Sequence, residues 1–280
     1  MIKLEAASLL DVGLFRDMNE DSVLAQVIHA LNRPALGLFV VCDGMGGHMG
    51  GEFASYWAVE AIKSEFASLF ESRDPRATVI LREEEMDAAK MAAISQTADA
   101  GQKIDLEELV RSAIQKANNV VFEYARNKPE KAGNAGTTVT MAVVLGDQVV
   151  IANAGDSRTY LLRDHELHQI TRDHSLVAHL VAEGELMPDE IYTHPQRNVI
   201  YRFLGQKGLV QPDMFYETLH EGDYLLLCSD GLWEMVRSDS RIVELIESAK
   251  EPLDACKALV KAANDGGGDD NIGVVLVRIS

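Results

Sequence analysis

The chain has 280 residues, of which 47% are apolar, and a formal net charge of −18. This length is enough for one large domain with a sizeable core. The acidic balance argues against a nucleic acid or an anionic membrane as partner, because either would be repelled. No apolar run approaches the ~20 residues of a membrane span, and the N-terminus lacks the apolar core of a signal peptide. We therefore expect a soluble cytoplasmic protein.

The first half of the chain changes from a strand pattern to a helical one. Apolar runs predict three strands, and from Glu52 onwards the apolar residues recur at helical spacing up to Phe66. A second helix carries one apolar stripe from Leu106 to Tyr124. The predicted strands are Leu9 to Val12, Val23 to His29 and Leu36 to Cys42, and the apolar stripe of the first helix is Ala54, Trp57, Ala58, Ala61, Ile62 and Phe66.

The second half returns to strands with short connections. Connections this short predict antiparallel hairpins, since parallel neighbours need crossovers of a dozen or more residues. Strand runs with helix pairs set apart favour an α+β layered sandwich. The predicted strands are Thr137 to Leu145, Gln148 to Ala154, Thr159 to Arg163, Asp223 to Ser229 and Ile272 to Ile279, and the predicted helices are Asp239 to Ser248 and Pro252 to Asn264.

Two stretches do not fit a simple core. Residues Glu71 to Lys103 have a helix-compatible composition with a weak apolar stripe, and we interpret them as a solvated helical insertion rather than a functional element. Residues Arg172 to Gln206 mix a short helical pattern with charges and His194-Pro195. Irregular segments of this kind commonly form lids or binding loops near a rigid site.

Four aspartates accompany short apolar runs, which is the main chemical signal in the chain. Asp43, Asp156 and Asp230 each follow such a run beside a glycine, and Asp270 precedes the last one. Carboxylates held at the ends of buried strands form oxygen cages suited to Mg²⁺ or Mn²⁺. Each Asp-Gly pair alone is an ordinary turn former, so the repetition carries the prediction. A metal-dependent hydrolase is the leading hypothesis.

Two other groups of residues carry weaker signals. The segment from Arg16 to Asp21 combines a guanidinium with carboxylates, but taken alone it is typical of a solvated turn. The three cysteines fit neither a disulfide framework nor a zinc site. We interpret Cys42 and Cys228, which lie close to aspartates, as small apolar core residues rather than catalytic thiols.

Taken together, eight segments resemble the metal-dependent type 2C serine/threonine protein phosphatases, especially their compact bacterial members. The segments follow the order of that family and cover nearly the whole chain. They are GLFRDMNEDS at Gly13 to Ser22, VCDGMGGHMGGEFAS at Val41 to Ser55, AGTTVTMAVV at Ala135 to Val144, ANAGDSRTYLL at Ala152 to Leu162, QITRDHSLV at Gln169 to Val177, THPQRNVIYRFLG at Thr193 to Gly205, LLLCSDGLWEMV at Leu225 to Val236, and GGGDDNIGVVLV at Gly266 to Val277.

The resemblance implies a single domain over residues 1–280 with a four-layer αββα architecture. Two antiparallel sheets would pack together between helix pairs, with a two-metal site at one end. The insertion at about 71–103 is longer than compact bacterial members carry, and a tolerated surface extension is favoured over a partner-recognition element. Residues 172–206 would be the flap that borders the metal site. There, Asp173 and His174 are about equally compatible with phosphopeptide contacts and with a packing role.

The resemblance also assigns the site residues. Asp43 would bridge two divalent cations, Mn²⁺ or Mg²⁺, with water completing their coordination. Arg16 would clamp the substrate phosphate through its planar fork. A metal-bridging hydroxide would then attack phosphoserine or phosphothreonine directly. The remaining assignments are Asp230 and Asp270 as ligands of one ion, the Gly44 carbonyl as a ligand of the other, Asp156 with Asp230 at a third and weaker site, and Glu20 and Asp21 acting through water.

Two positions depart from the wider family. Met45 stands where many eukaryotic members have a histidine that is proposed to protonate the leaving group; a metal-bound water is our first choice for that role. His48 is the alternative, although a structural role in its glycine-rich corner is favoured. Gly273 stands where the family usually has threonine, and we expect it to alter the hydrogen bonding around Asp270.

Three functions are compared on this basis. The first is a phosphoprotein phosphatase that opposes a bacterial serine/threonine kinase and acts as a monomer. The second is a phosphoprotein-binding module with a dead site, which the complete set of aspartates argues against. The third is a hydrolase of small phosphoesters or nucleotides, for which no closed nucleotide pocket motif is found.

Overall fold

The architecture was obtained from a computed structural model, which describes residues 2–28, 34–46, 50–70 and 105–280. The strands are β1 (Leu4–Asp11), β2 (Asp21–Ile28), β3 (Leu36–Met45), β4 (Gly136–Thr137), β5 (Val139–Leu145), β6 (Gln148–Ala154), β7 (Arg158–Arg163), β8 (Glu166–Gln169), β9 (Asp213–Thr218), β10 (Tyr224–Cys228) and β11 (Ile272–Ile279). The helices are α1 (Gly50–Phe70), α2 (Leu106–Asn127), α3 (Pro129–Ala132), α4 (Leu176–Ala182), α5 (Asp230–Trp233), α6 (Asp239–Glu247) and α7 (Pro252–Asp265).

The strands form two antiparallel sheets. One has the order β2-β3-β5-β6-β9, with β4 added beside β3, and the other has the order β1-β11-β10-β7-β8. Apolar residues on the inner faces, such as Phe39, Ala142, Leu225 and Val275, form the core between the sheets. This packing follows from strands that are apolar on both faces, which must be covered on both sides.

Helices cover the outer face of each sheet. Helices α1 and α2 pack on β3, β5 and β6, where Ile62, Phe66 and Ile114 are fully buried. Helices α6 and α7 pack on the second sheet, with Ile246 and Leu259 in that core. The two helix layers and two sheets confirm the predicted four-layer αββα sandwich.

Several element boundaries differ from the sequence prediction. Strand β1 begins at Leu4 rather than Leu9, and β3 continues beyond Cys42 to Met45, so Asp43 and Gly44 lie within a strand. Trp57, placed on the buried stripe of α1, is 42% exposed, and the buried face follows smaller residues. Strands β8 and β9 were not predicted, because both are short edge strands rich in polar residues.

Two predictions concern residues outside the described part of the chain. The insertion at about 71–103 and His48 both fall there. Among the described residues, no helix has the length and apolar character that a membrane crossing requires.

Candidate metal centre

The acidic residues singled out in the sequence come together at one end of the two sheets. Asp21 and Asp43 are directly opposite each other in the β2–β3 ladder. In the other sheet, β10 and β11 pair with Cys228 opposite Val274, so Asp230 after β10 and Asp270 before β11 leave the sheet at the same end. A hydrogen bond of 2.6 Å from the Ser229 hydroxyl to Asp21 Oδ2 connects the two halves of the site.

The backbone of Asp43 is fixed by two threonines of the neighbouring β4–β5 segment. Its N–H donates to Thr138 Oγ1 at 2.9 Å, and its carbonyl accepts from the Thr137 hydroxyl and the Thr138 N–H, each at 2.8 Å. Thr138 Oγ1 also lies 2.6 Å from Ser157 Oγ on the loop that leads into β7. The main chain of Asp43 is therefore held rigidly, and its carboxylate is left for other partners.

Gly44 occupies a position that has no room for a side chain. A Cβ there would lie 2.1 Å from the Gly51 carbonyl oxygen and 2.5 Å from that of Glu20. The Gly44 N–H donates to the same Glu20 carbonyl at 3.0 Å. This close approach of three backbone segments requires glycine and brings Glu20 beside the end of β3.

Within the described part of the chain, three buried carboxylate oxygens at this end of the sheets have no hydrogen-bond partner. They are Glu20 Oε1, Asp21 Oδ1 and Asp230 Oδ1. A buried charged oxygen without a partner is costly, so such atoms in a native fold call for an ion or ordered water. Hard divalent cations favour carboxylate and carbonyl oxygens, which are the donors present here. The residues therefore fit a site for such cations.

The protonation equilibria of these carboxylates support the same conclusion. Burial, followed by the neighbouring carboxylates, raises the pKa of Asp43 and Asp230 well above the usual range. Burial likewise raises the pKa of Asp21 and of Asp156 to about 7. Burial and like charges both disfavour the ionised form. A bound cation would stabilise the ionised carboxylates, because it would supply the missing positive charge.

Arg16 and Asp270 are brought together, 254 residues apart in the chain. Arg16 Nη2 lies 2.6 Å from Asp270 Oδ2, while Asp270 Oδ1 accepts the N–H of Asn271 at 2.8 Å. Across the described ranges, no three acidic, histidine or cysteine side chains are already gathered tightly enough to enclose one ion. The Asp270 carboxylate is instead turned towards Arg16, which remains about half exposed.

Asn271 holds the N-terminal loop against the site, a role that the sequence analysis did not assign. Its Nδ2 donates to the carbonyl oxygens of Val12 and Met18, each at 2.9 Å, and its Oδ1 accepts the Glu20 N–H at 2.7 Å. The only sequence signal was its position directly after Asp270. Its three contacts keep Arg16 and Glu20 next to the β11 end of the site.

The position of Gly273 corrects one expectation. We expected it to affect Asp270, but its N–H donates to Ser229 Oγ at 2.8 Å, and a Cβ at this position would lie 3.0 Å from Asp21 Oδ2. It therefore lies against the pair formed by Asp21 and Ser229. The reason is that Gly273 lies inside β11 beside Ser229, whose N–H donates to the Gly273 carbonyl at 3.0 Å, whereas Asp270 lies before the strand.

The two flap residues named from the sequence make internal contacts. Asp173 forms a paired hydrogen bond with Arg158, with distances of 2.7 Å to Nη2 and 3.0 Å to Nε. His174 is buried, its Nδ1 accepts the Gly155 N–H at 3.1 Å, and its Nε2 lies 2.8 Å from Arg202 Nη1. Burial and the charge of Arg202 lower the pKa of His174. These contacts show the packing role for both residues.

The remaining named positions are less directly engaged. Met45 ends β3, where it is half-buried and pairs with Gly136 of β4. Asp156 follows β6, and its carbonyl accepts the Trp233 indole N–H at 3.1 Å. Cys42 and Cys228 are free and fully buried, and burial raises the pKa of both thiols. This agrees with their interpretation as core residues.

Comparisons with known proteins agree with this architecture. The model of the protein phosphatase 2C family matches residues 17–263. The chain is 35% identical to "Serine/threonine phosphatase stp" of Listeria monocytogenes, over 96% of this chain and 93% of that protein. It is 34% identical to the solved structure of the serine/threonine phosphatase Stp1 from Staphylococcus aureus, with a TM-score of 0.78 and coverage of 99% and 96%.

A further solved structure is the catalytic domain of the serine threonine protein phosphatase PstP in complex with two manganese ions. It is 32% identical to this chain, with a TM-score of 0.74 and coverage of 100% of this chain and 99% of that one. The family model, the relatives and the four-layer fold all lead to one assignment. The chain belongs to the protein phosphatase 2C family.

Proposed function

We propose that this protein is a metal-dependent phosphatase that hydrolyses phosphoserine and phosphothreonine in proteins. The observation that carries the proposal is the set of buried carboxylate oxygens without partners at the meeting point of the two sheets, beside a half-exposed arginine. Relatives that are named serine/threonine phosphatases support it, and so does the neighbour that contains two manganese ions.

In this proposal two divalent cations, Mn²⁺ or Mg²⁺, would be held by the acidic end of the sheets. When bound, they supply positive charge for the phosphoryl oxygens and lower the pKa of water so that it becomes a nucleophile. The groups that would hold them are the carboxylate of Asp43 for both ions, Asp230 and Asp270 for one of them, the main-chain carbonyl of Gly44 for the other, Asp156 with Asp230 for a third and weaker one, and Glu20 and Asp21 through water.

The protein's own groups position the phosphate and hold the ligands in place. Arg16 uses one N–H for Asp270, and because its side chain is about half exposed it can offer further N–H groups to a phosphate. Asn271 holds the loop that carries Arg16 next to the site. Met45 cannot donate the proton that the leaving serine or threonine oxygen takes up. In this proposal a water molecule would donate it, with His48 as the alternative donor.

The test is hydrolysis of a phosphothreonine peptide with Mn²⁺, with Mg²⁺ and with chelator. We expect turnover only with a divalent cation and a loss of at least about a thousandfold in Asp43→Asn, because this change removes charge stabilisation at the reacting phosphate. Asp254→Asn is the matched control, since Asp254 is an exposed carboxylate paired with Lys257 far from the site.

The same assay separates the alternative functions. Folded wild type that binds the peptide without turnover, whichever cation is supplied, would favour a phosphoprotein-binding module. Faster turnover of nucleotides than of phosphopeptides would favour a hydrolase of small phosphoesters. Either result would overturn the proposal.

The proposal extends to the setting of the enzyme. Residues 1–280 would act as one catalytic domain, with an insertion at about 71–103 and the flap at 172–206. The enzyme would work as a monomer in the cytoplasm of a bacterium and oppose a serine/threonine kinase. The bacterial origin of the relatives supports the bacterial setting, and their names as phosphatases support phosphoproteins as substrates.

A further inference from the structure

The segment before and around Arg16 exposes an unusual number of apolar side chains. Phe15 is 73% exposed and Leu14 is 65% exposed. Single exposed apolar residues are ordinary, but a group of them in one short segment marks a contact surface. The apolar residues of this segment that are more than a third exposed are Leu10, Val12, Leu14, Phe15 and Met18.

This segment is held firmly by the protein. The Leu14 N–H donates to the Gly268 carbonyl at 2.8 Å, and Asn271 binds the carbonyls of Val12 and Met18. Gly13 has φ +75°, and a Cβ there would lie 2.3 Å from the Asp270 carbonyl oxygen. The apolar side chains are therefore presented from a fixed backbone, which reduces the entropy lost when they bind a partner.

The exposed pair lies directly beside the proposed phosphate clamp. Phe15 precedes Arg16, whose guanidinium reaches Asp270 at 2.6 Å. A phosphate bound to Arg16 would thus place the neighbouring residues of its peptide next to Leu14 and Phe15. The apolar surface is continuous along the chain with the proposed catalytic site.

The surrounding charges indicate which partner can bind there. Asp17 follows the apolar pair closely in sequence, and Asp269 is next to Gly268, whose carbonyl accepts the Leu14 N–H; both aspartates are exposed. The whole chain carries a net charge of −18. A second copy of this chain would bring an equally acidic face and would be repelled. A phosphopeptide would not be repelled in the same way, because Arg16 and the cations would neutralise the charge of its phosphate.

We propose that Leu14 and Phe15 bind a large apolar side chain adjacent to the phosphoserine or phosphothreonine of the substrate. This inference rests on the proposed phosphatase function. The two residues select substrates through flanking sequence and take no part in the bond cleavage. Partial burial of one leucine of the substrate against them would raise kcat/KM by about tenfold.

The test uses two phosphothreonine peptides of equal length and charge. In one the residues on both sides of the phosphothreonine are leucine, and in the other they are serine. With Mn²⁺, we expect wild type to prefer the leucine peptide by about tenfold, mainly through a lower KM, because the contact exists before the transition state. In the double variant Leu14→Ser with Phe15→Ser, the ratio should fall to about one.

Leu209→Ser provides the matched control, because Leu209 is 80% exposed and lies outside this segment. It should keep the wild-type ratio. An equal kcat/KM for both peptides with wild type, or a preference that survives in the double variant, would overturn the inference while leaving the phosphatase function intact. Failure of wild type to hydrolyse either peptide would instead overturn both proposals.

Discussion

Two groups of ionisable side chains lie near each other in this fold and differ in how their charges are compensated. The acidic cluster consists of Asp21, Asp43, Asp156 and Asp230, whose pKa values are all raised by burial. The flap network consists of Arg158, Asp173, His174, Arg202 and Asp213, in which each acid faces an arginine at 2.7 Å or less. The first group lacks positive charge, whereas the second supplies its own.

The difference indicates where the protein needs an external partner. Arg158 lies only two positions after Asp156, yet its guanidinium contacts Asp173, the Tyr160 hydroxyl at 3.1 Å and the ring of Trp233 at 3.5 Å. The hydrogen bonds of Arg158 therefore go to residues outside the acidic cluster, and its charge only partly offsets the effect of burial on the pKa of Asp156. A buried network that satisfies itself stabilises structure, and one that does not is a site for ligands.

The largest effect on stability is expected from breaking the flap network. Arg158→Met leaves Asp173 buried without its partner, and we expect a loss of about 3 to 5 kcal/mol in the free energy of unfolding. Urea unfolding of the metal-free protein measures this loss. The double variant with Asp173→Asn should recover most of it, because no uncompensated charge remains.

An exposed ion pair provides the control for this prediction. Arg111 pairs with Glu107 one turn away on α2, and both side chains are more than 40% exposed. Arg111→Ala should cost no more than about 0.5 kcal/mol. If Arg158→Met is as mild as Arg111→Ala, the flap network does not stabilise the fold in the way described.

The acidic cluster should make the metal-free protein less stable as pH rises. The pKa of Asp21 and of Asp156 is raised from 3.8 to about 7, so the folded state binds more protons than the unfolded state between these values. Their contribution is fully present below about pH 4 and lost as pH rises through about 7. We expect a decrease of about 3 kcal/mol over this window.

Thermal or urea unfolding from pH 5 to pH 8 tests this sign. Saturating Mn²⁺ should flatten or reverse the slope, since a cation bound to the folded state favours the ionised carboxylates. A metal-free protein whose stability increases from pH 5 to pH 8 would show that the pKa values of these carboxylates are not raised in the folded state. His174 of the flap network acts in the opposite direction, because burial lowers its pKa from 6.5. Its contribution to stability is present above about pH 6.5 and is lost as pH falls through its folded-state pKa.

Much of the fold could be predicted because its strands and helices carry clear periodicities. The αββα layers and the positions of Asp230 and Asp270 beside strand ends were predictable from local pattern together with the family resemblance, whereas Asp43 lies inside β3 rather than after it. Strands β8 and β9 were missed, since short edge strands with polar residues carry no alternating signal. Trp57 was misplaced because helical spacing does not tell which edge of an apolar stripe is covered.

The contacts that complete the site could not be predicted from local pattern. The Ser229–Asp21 hydrogen bond joins residues 208 positions apart, and it exists only because the two sheets face each other at that end. The Arg158–Asp173 pair likewise depends on how the segment after β8 packs against β7. Such contacts follow from packing of whole layers, which periodicity alone does not specify.

The smallest effect is expected where the acidic cluster meets Gly273. In Gly273→Ala the new Cβ would lie 3.0 Å from Asp21 Oδ2, so the carboxylate must shift within a packed region. We expect a loss of about 1 to 3 kcal/mol in stability and a decrease of up to about tenfold in Mn²⁺ affinity, because Asp21 is moved relative to Ser229.

Gly208→Ala separates the two parts of this last prediction. Gly208 has φ +95° with no atom within 4 Å of a new Cβ, so alanine there strains the backbone without touching the acidic cluster. Its stability should fall while its Mn²⁺ affinity, measured by calorimetry, stays at the wild-type value. If Gly273→Ala also leaves Mn²⁺ affinity unchanged, then the contact between Gly273 and Asp21 matters for packing alone, and the acidic cluster tolerates movement of that carboxylate.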